Sequence, residues 1–288
     1  MKIWLSLPFL PADQLTVVVD AAERADVDGI AVADHVGVPA QLESEYPYTG
    51  TRAVLPVETE LPDPLVLVSA LAARTSRLRF MTHVLIGPLR HPILLAKGVA
   101  TVAALADGRF DLGVGVGWMR EEFDALGVPF ERRGGIMDEM IPLMRDLWTG
   151  KPVEHHGRQF HFEAFALNPR PASPVPILVG GYSAAAVNRA ARLADGWVGV
   201  NPTVAQLESL VEQLHDARRA AGTDQQPFQI RTGVKGRLEA DTLQTMTKLG
   251  VDALVVSPWQ LVPRGTAQSA TSIAENIPHV VAQVHGDL

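Results

Sequence analysis

Two polar strand-end motifs and two glycine-rich turns stand out in a chain otherwise dominated by aliphatic runs. Asp34-His35 follows the apolar run 29–33. A His at a strand end can give or take a proton, and an adjacent carboxylate can hydrogen-bond it or a polar ligand edge. The same dipeptide also reads as a capping Asp and a surface His. Thr82-His83-Val84 ends another apolar run, ahead of Gly87-Pro88 and Arg90-His91-Pro92. It reads either as ligand-facing polar groups or as a strand end before a proline turn. Gly113-Val114-Gly115-Val116-Gly117-Trp118 has Trp118 where a dinucleotide fingerprint needs its third glycine, and it lacks the lysine of a P-loop. Its alternating glycines leave a bare wall for a planar ring, or they permit close packing at a corner. Leu178-Val179-Gly180-Gly181-Tyr182-Ser183 runs into three alanines. There Ser183 can cap a helix whose free amides and dipole suit a phosphate monoester. An ordinary tight turn is the alternative.

Other chemistries find little support. The chain has no cysteine, which removes thiolate nucleophiles, disulfides, iron–sulfur clusters and cysteine zinc sites. His155, His156 and His161 are close in sequence but fall on an expected hairpin without a spacing that puts three ligands on one face, so no metal is expected. Glu121 and Glu122 are neighbours on a helix and point apart. No nucleophile elbow is present.

These residues need elements to position them. Strand-like runs cover residues 3–7, 29–33, 78–85, 110–116, 177–179, 197–200, 228–234 and 253–257. Helical periodicity falls between them, at 14–25, from Pro64, and at 92–105, 135–148, 184–194, 204–221, 241–249 and 273–284. Asp13 is expected to cap the first helix and Asp63 the second, with Pro64 in its first turn. Pro142 predicts a kink or a later start for its helix. Eight strands alternating with helices predict an α/β fold, a (β/α)8 TIM barrel, over a doubly wound open sheet. With no linker or low-complexity tract, residues 1–288 read as a single domain. Two excursions exceed what a barrel needs. Residues 36–62 have no helical period and lie on the catalytic face, and residues 151–176 hold one arm of a small hairpin.

Composition sets the bounds. The chain has 288 residues, 47% hydrophobic and 20% charged, enough for a sizeable core. A net charge of −7 argues against nucleic-acid binding. The amino terminus makes a poor signal peptide, and no apolar window is long enough for a membrane span. The expectation is a soluble, cytoplasmic protein.

The ordered motifs resemble the bacterial luciferase-like monooxygenase superfamily, most closely its coenzyme F420 (deazaflavin)-dependent oxidoreductases. The stretches that carry this are Ala33-Asp34-His35, Leu89-Arg90-His91-Pro92 with Leu95-Ala96-Lys97, Asp107-Gly108-Arg109, and LGVGVGWMREEFDALGVPFERR from Leu112 to Arg133. Leu147-Trp148-Thr149-Gly150, Gly180-Gly181 and Arg192-Leu193-Ala194-Asp195-Gly196-Trp197 follow. The resemblance spans most of residues 1–200 and fades after Asn201.

The resemblance implies a luciferase-like barrel with the ring of the cofactor at the carboxyl ends of the strands. Asp34 and His35 would lie beside the ring, with His35 the catalytic proton donor or acceptor. The third strand, at Thr82, His83 and Val84, would end in a non-proline cis peptide, His83–Val84, behind the ring. Gly115, Val116, Gly117 and Trp118 would flank the ring or ribityl chain, and Glu121 would reach that chain. Gly180, Gly181, Tyr182 and Ser183 would hold the phosphate. A small organic substrate would lie over Leu7, Phe9, Tyr46 and Trp259, covered by the 36–62 loop. Arg52 and Arg90 are the basic residues suggested for an oligoglutamate tail, and a homodimer is expected. No clear basic set for a sugar phosphate follows, so glucose-6-phosphate oxidation is not expected. The rivals are an FMN-dependent monooxygenase on the same fold, a non-catalytic flavin-binding barrel, and a cofactor-free aldolase or lyase using Lys235.

Overall fold

The computed structural model describes residues 1–7, 9–52, 55–262 and 269–286. Eight strands form the barrel: β1 (Lys2–Ser6), β2 (Gly29–Val32), β3 (Arg79–Thr82), β4 (Phe110–Gly115), β5 (Ile177–Gly180), β6 (Gly196–Gly199), β7 (Gln229–Thr232) and β8 (Ala253–Val256). All pair in parallel in chain order, and β8 returns to β1 to close the sheet. The helices are α1 (Ala12–Arg24), α2 (Pro64–Ala72), α3 (Pro92–Leu105), α4 (Arg133–Leu147), α5 (Ala184–Leu193), α6 (Val204–Ala221), α7 (Ala240–Lys248) and α8 (Ala270–His285). This is the expected (β/α)8 barrel.

The two-residue period of a strand divides the core into two layers. Ile3, Leu5, Ile30, Phe80 and Val256 belong to the layer under the helices. Trp4, Ala31, Met81, Leu178, Val198, Ala253 and Val255 cluster inside the barrel. A Cβ on Gly29 would stand 2.7 Å from the Trp4 ring, so the interior indole requires glycine at its register partner.

Local signals set several of the helix starts, and two expectations about them fail. The Asp63 side chain accepts from the amides of Leu65 and Val66 and Ser183 accepts from Ala186, as their types dictate. Asp13 does not cap α1; it lies in the first turn, and Pro11 is at the cap position. Pro142 does not delay α4, which begins at Arg133 and continues through the proline to Leu147. An interior proline costs about 3 kcal/mol. Burial of Ile136, Met137, Met140, Ile141, Leu143, Met144 and Leu147, at roughly 1.5–3 kcal/mol per large apolar side chain, offsets that cost several times over.

Both excursions carry small antiparallel hairpins. The first pairs Glu45–Tyr46 with Thr51–Arg52 on the mouth side, and the second pairs Val153–His156 with His161–Phe165 beside α4. Among the described residues no helix is long and apolar enough to cross a membrane.

Candidate active site

His35 stands just beyond β2, at the carboxyl-terminal mouth of the barrel. Its Nδ1 lies 3.2 Å from both carboxylate oxygens of Glu122, in the short helix Arg120–Ala125. Glu122 is 2% exposed in its side chain, and its Oε1 also accepts the Val36 amide at 2.6 Å. A carboxylate accepts only, so this contact assigns the imidazole proton to Nδ1 and leaves Nε2 as the nitrogen for a ligand. The His35 ring meets Trp118 edge-on at 5.7 Å.

Asp34 serves a different purpose. Its carboxylate is buried and takes a bidentate fork from Arg90, at 2.6 and 3.0 Å, plus the Ile86 amide at 2.8 Å. Arg90 also reaches Asp63 at 3.2 Å. Burial works against the guanidinium charge, but Asp34 and Asp63 outweigh it and raise the Arg90 pKa. Asp34 therefore fixes the frame behind His35, with both oxygens engaged by Arg90. Arg90 is correspondingly locked, which removes it as a tail-binding group. The side chain of Arg52 lies outside the described set.

The peptide His83–Val84 is cis, as the resemblance implied. The line of β3 resumes after it at Leu85–Ile86, which pairs with Val114 and Gly115 of β4. Val84 sits between two glycines. A Cβ on Gly115 would meet its Cγ2 at 2.6 Å, and one on Gly180 would meet its Cγ1 at 2.9 Å. Neighbouring strands thus leave room for Val84 alone, and its side chain forms the floor of the mouth. Gly113 is explained by packing: a Cβ there would strike the Thr82 carbonyl at 2.0 Å. The buried Thr82 hydroxyl donates to the Gly113 carbonyl at 2.7 Å, so that side chain is not a ligand group. Burial lowers the His83 pKa, and the neutral ring donates from Nε2 to the Gly199 carbonyl at 3.1 Å.

The 36–62 loop is tied across this mouth. Glu121 accepts from the amides of Glu43 and Ser44 and from the Ser44 hydroxyl, at 2.7–2.9 Å. Burial pushes its pKa up, but these hydrogen bonds prevail and hold the carboxyl at about 2. Glu121 therefore grips the loop, a role different from the contact with a ribityl chain that the resemblance implied. Aromatic rings continue from Trp118 to Tyr46 at 5.3 Å, to Tyr48 at 5.2 Å and to Tyr182 at 4.5 Å. Burial pushes the Tyr46 phenol up to about 12 and raises Tyr48 and Tyr182 as well, so all three stay protonated at neutral pH. The Tyr182 hydroxyl donates to the Val200 carbonyl at 2.6 Å and accepts its amide at 3.0 Å, which takes that hydroxyl out of any phosphate site.

After β5 the chain turns at Gly181, with φ +121°, where a Cβ would meet Ala186 at 2.8 Å. Ser183 then caps α5, and the exposed first-turn amides of Ala184 and Ala185 have no helical acceptor. This leaves backbone donors and a positive helix end at the mouth.

The substrate residues divide. Leu7 and Phe9 line a small open cleft with His35, Leu10, Val32 and Leu61. Tyr46 lies on the Trp118 side, and Trp259 is 52% exposed on a turn after β8, in neither described cleft. Lys235 is exposed beyond β7. Sequence reasoning missed the role of Glu122. Its divergence from Glu121 was legible; that each would grip a different part of the distant loop was not.

Residues 6–241 match the model of the luciferase-like monooxygenase family. An uncharacterized protein of Mycobacterium tuberculosis is 37% identical over 238 residues, 82% of each chain. An F420-dependent glucose-6-phosphate dehydrogenase of Nakamurella multipartita is 31% identical over 208 residues, 70% of this chain and 57% of that one. Among solved structures, an F420-dependent secondary alcohol dehydrogenase in complex with an F420-acetone adduct superposes with TM-score 0.76 at 16% identity, covering 98% of each chain. The oxygenating constituent of 3,6-diketocamphane monooxygenase of Pseudomonas putida, in complex with FMN, superposes with TM-score 0.64 at 19% identity, covering 81% of this chain and 66% of that one. Such identities speak to the fold alone. With the barrel in hand and the family model matching from the first strand into the seventh helix, the chain belongs to the luciferase-like monooxygenase family.

Proposed function

We propose that this protein is an oxidoreductase that uses coenzyme F420 to move a hydride to or from a small organic substrate. The observation that carries the reading is the pairing of His35 with buried Glu122 at the same barrel mouth that Val84 floors. It puts one oriented imidazole nitrogen at the mouth of the barrel, where Val84 fills the space its flanking glycines leave and offers a surface for a ring. A tricyclic ring fits that surface, and the amides of Ala184 and Ala185 suit the phosphate of its side chain. When bound, a deazaflavin supplies the hydride chemistry. His35 then gives or takes the accompanying proton at Nε2, while Glu122 holds the ring in one tautomer. The loop between Asp34 and Asp63 excludes water, and Leu7, Phe9 and Leu10 offer an apolar wall to the substrate.

FMN with oxygen is the second reading, favoured by the FMN-bound fold neighbour. The floor and the helix terminus serve either ring. Fluorescence titration of the purified protein with F420 and, separately, with FMN distinguishes them. Tight binding of F420 and weak binding of FMN is the expected result. The reverse preference moves the protein to the oxygen-using branch, and binding of neither defeats both readings. The reading also includes a homodimer, supported by apolar outer faces on α2 and α3.

A further inference from the structure

The hairpin beside α4 carries a group of side chains that the barrel mouth does not use. One face is packed: His155 reaches Glu139 of α4 at 2.9 Å and lies against Phe162. The Glu139 carboxylate also accepts from the amides of Arg158, Gln159 and Phe160, which fixes the turn of the hairpin on the helix. The opposite face is exposed, and at its centre His156 and His161 form a cross-strand pair. His156 Nδ1 lies 2.9 Å from His161 Nδ1 and 3.2 Å from its Nε2. Ligand atoms of His156, His161 and Glu163 all fall within 4.8 Å of one another.

Two exposed histidines sharing one proton would account for the ring contact alone. The surroundings of His156 go further. Its other nitrogen, Nε2, is hydrogen-bonded to the Glu154 carboxylate. A carboxylate there holds the proton on Nε2 and presents the Nδ1 lone pair toward His161 and Glu163. Metal-bound imidazoles are oriented in this way, with the second nitrogen donating to a carboxylate. The spacing agrees as well. Two nitrogens bound at about 2.0–2.1 Å to one ion stand about 2.9–3.4 Å apart for bond angles between 90° and tetrahedral. Two imidazoles and a carboxylate suit a borderline divalent ion of the zinc class.

We propose that His156, His161 and Glu163 bind a divalent transition-metal ion of the zinc class on the exposed face of this hairpin, with Glu154 orienting His156. This revises the expectation of no metal drawn from spacing along the chain. The ion would cross-link the two strands, and water would complete its coordination. Because Glu139 fixes the turn from below, a clamp on the other face would stiffen the wall that Gln159 and Phe160 give to the groove beside Arg132 and His91.

Equilibrium dialysis of the full chain against Zn²⁺, with the bound metal quantified, tests the site. The expected result is a single Zn²⁺ per chain at micromolar free metal. His156→Ala and His161→Ala should each weaken binding at least tenfold. Glu154→Gln should weaken it less, and His215→Ala, at an exposed position on α6, should leave it unchanged. All these side chains are exposed, so folding of the variants is not at issue; circular dichroism confirms it. No Zn²⁺ retained by the wild type, or equal affinity in His156→Ala, His161→Ala and His215→Ala, overturns the proposal.

Discussion

A buried carboxylate beside an imidazole decides which ring nitrogen is available to a ligand, and Glu122 makes that decision for His35. A histidine side chain in water prefers the proton on Nε2, so the structure predicts an inverted tautomer. In long-range ¹H–¹⁵N spectra of the neutral ring, His35 should appear with Nδ1 protonated and Nε2 bare. Glu122→Ala should return it to the ordinary form, and a neutral wild-type ring with the proton on Nε2 would refute the assignment. Turnover on any accepted substrate should fall by about 10²–10⁴ in His35→Ala, the usual contribution of a positioned acid or base, with cofactor affinity little changed. At this scale the sequence was partly legible. A polar dipeptide ending a strand marked His35 correctly as a mouth residue. It could not reveal that Asp34 is engaged by Arg90, or that Thr82 and Tyr182 are satisfied by backbone groups. Buried polar groups must find partners, and those partners come from other strands. Only the assembled barrel shows which polar side chains remain for a ligand.

Among the elements, the 36–62 loop is the one the site depends on most. A single arginine ties its two ends, because Arg90 bonds both Asp34 before the loop and Asp63 after it. The middle is tied by Glu121 at Glu43 and Ser44. Hydrogen bonds to a charged group contribute about 1.5–3 kcal/mol. Glu121→Gln should therefore speed amide exchange at residues 43–44 by about tenfold or more at neutral pH, with exchange in the barrel strands unchanged. Acid should act on the same tie. The Glu121 pKa is depressed from 4.5 to about 2, so its contribution is complete above pH 4.5 and is lost as the pH falls toward 2. Wild-type exchange at these residues, corrected for intrinsic rates, should rise below pH 4.5. In Glu121→Gln that rise should be absent, and an identical rise would refute the tie. The barrel strands and helices themselves were legible because buried parallel strands are short continuous apolar runs and the helices between them keep a 3.6-residue period. The cap expected at Asp13 and the later start expected from Pro142 failed because the start of a helix responds to tertiary burial as well as to its local capping residues.

Across the whole molecule the outer helices are unequal. The face of α6 carries Glu208, Glu212, Asp216 and Arg219, as expected of a helix in water. Helix α2 has no charged residue and α3 only Lys97, yet both lie on the outside of the barrel. They pack tightly, since a Cβ on Gly98 would come within 3.0 Å of Leu65. Val66 is 71% and Leu94 70% exposed on the adjoining outer faces. These exposed apolar side chains on two adjoining helices are what supports the homodimer proposed above. A second copy of the chain is the simplest partner, because two-fold symmetry lets one patch cover its own equivalent. Light scattering after size exclusion should therefore give twice the chain mass for the wild type at micromolar concentration. Val66→Glu with Leu94→Glu places charges at the centre of that contact and should give the mass of one chain with unchanged circular dichroism. A monomeric wild type, or a dimer that survives both substitutions, would remove α2 and α3 as the interface. Loss of the dimer should also loosen the site, because Asp63, which caps α2, is where the loop over the mouth is tied to Arg90.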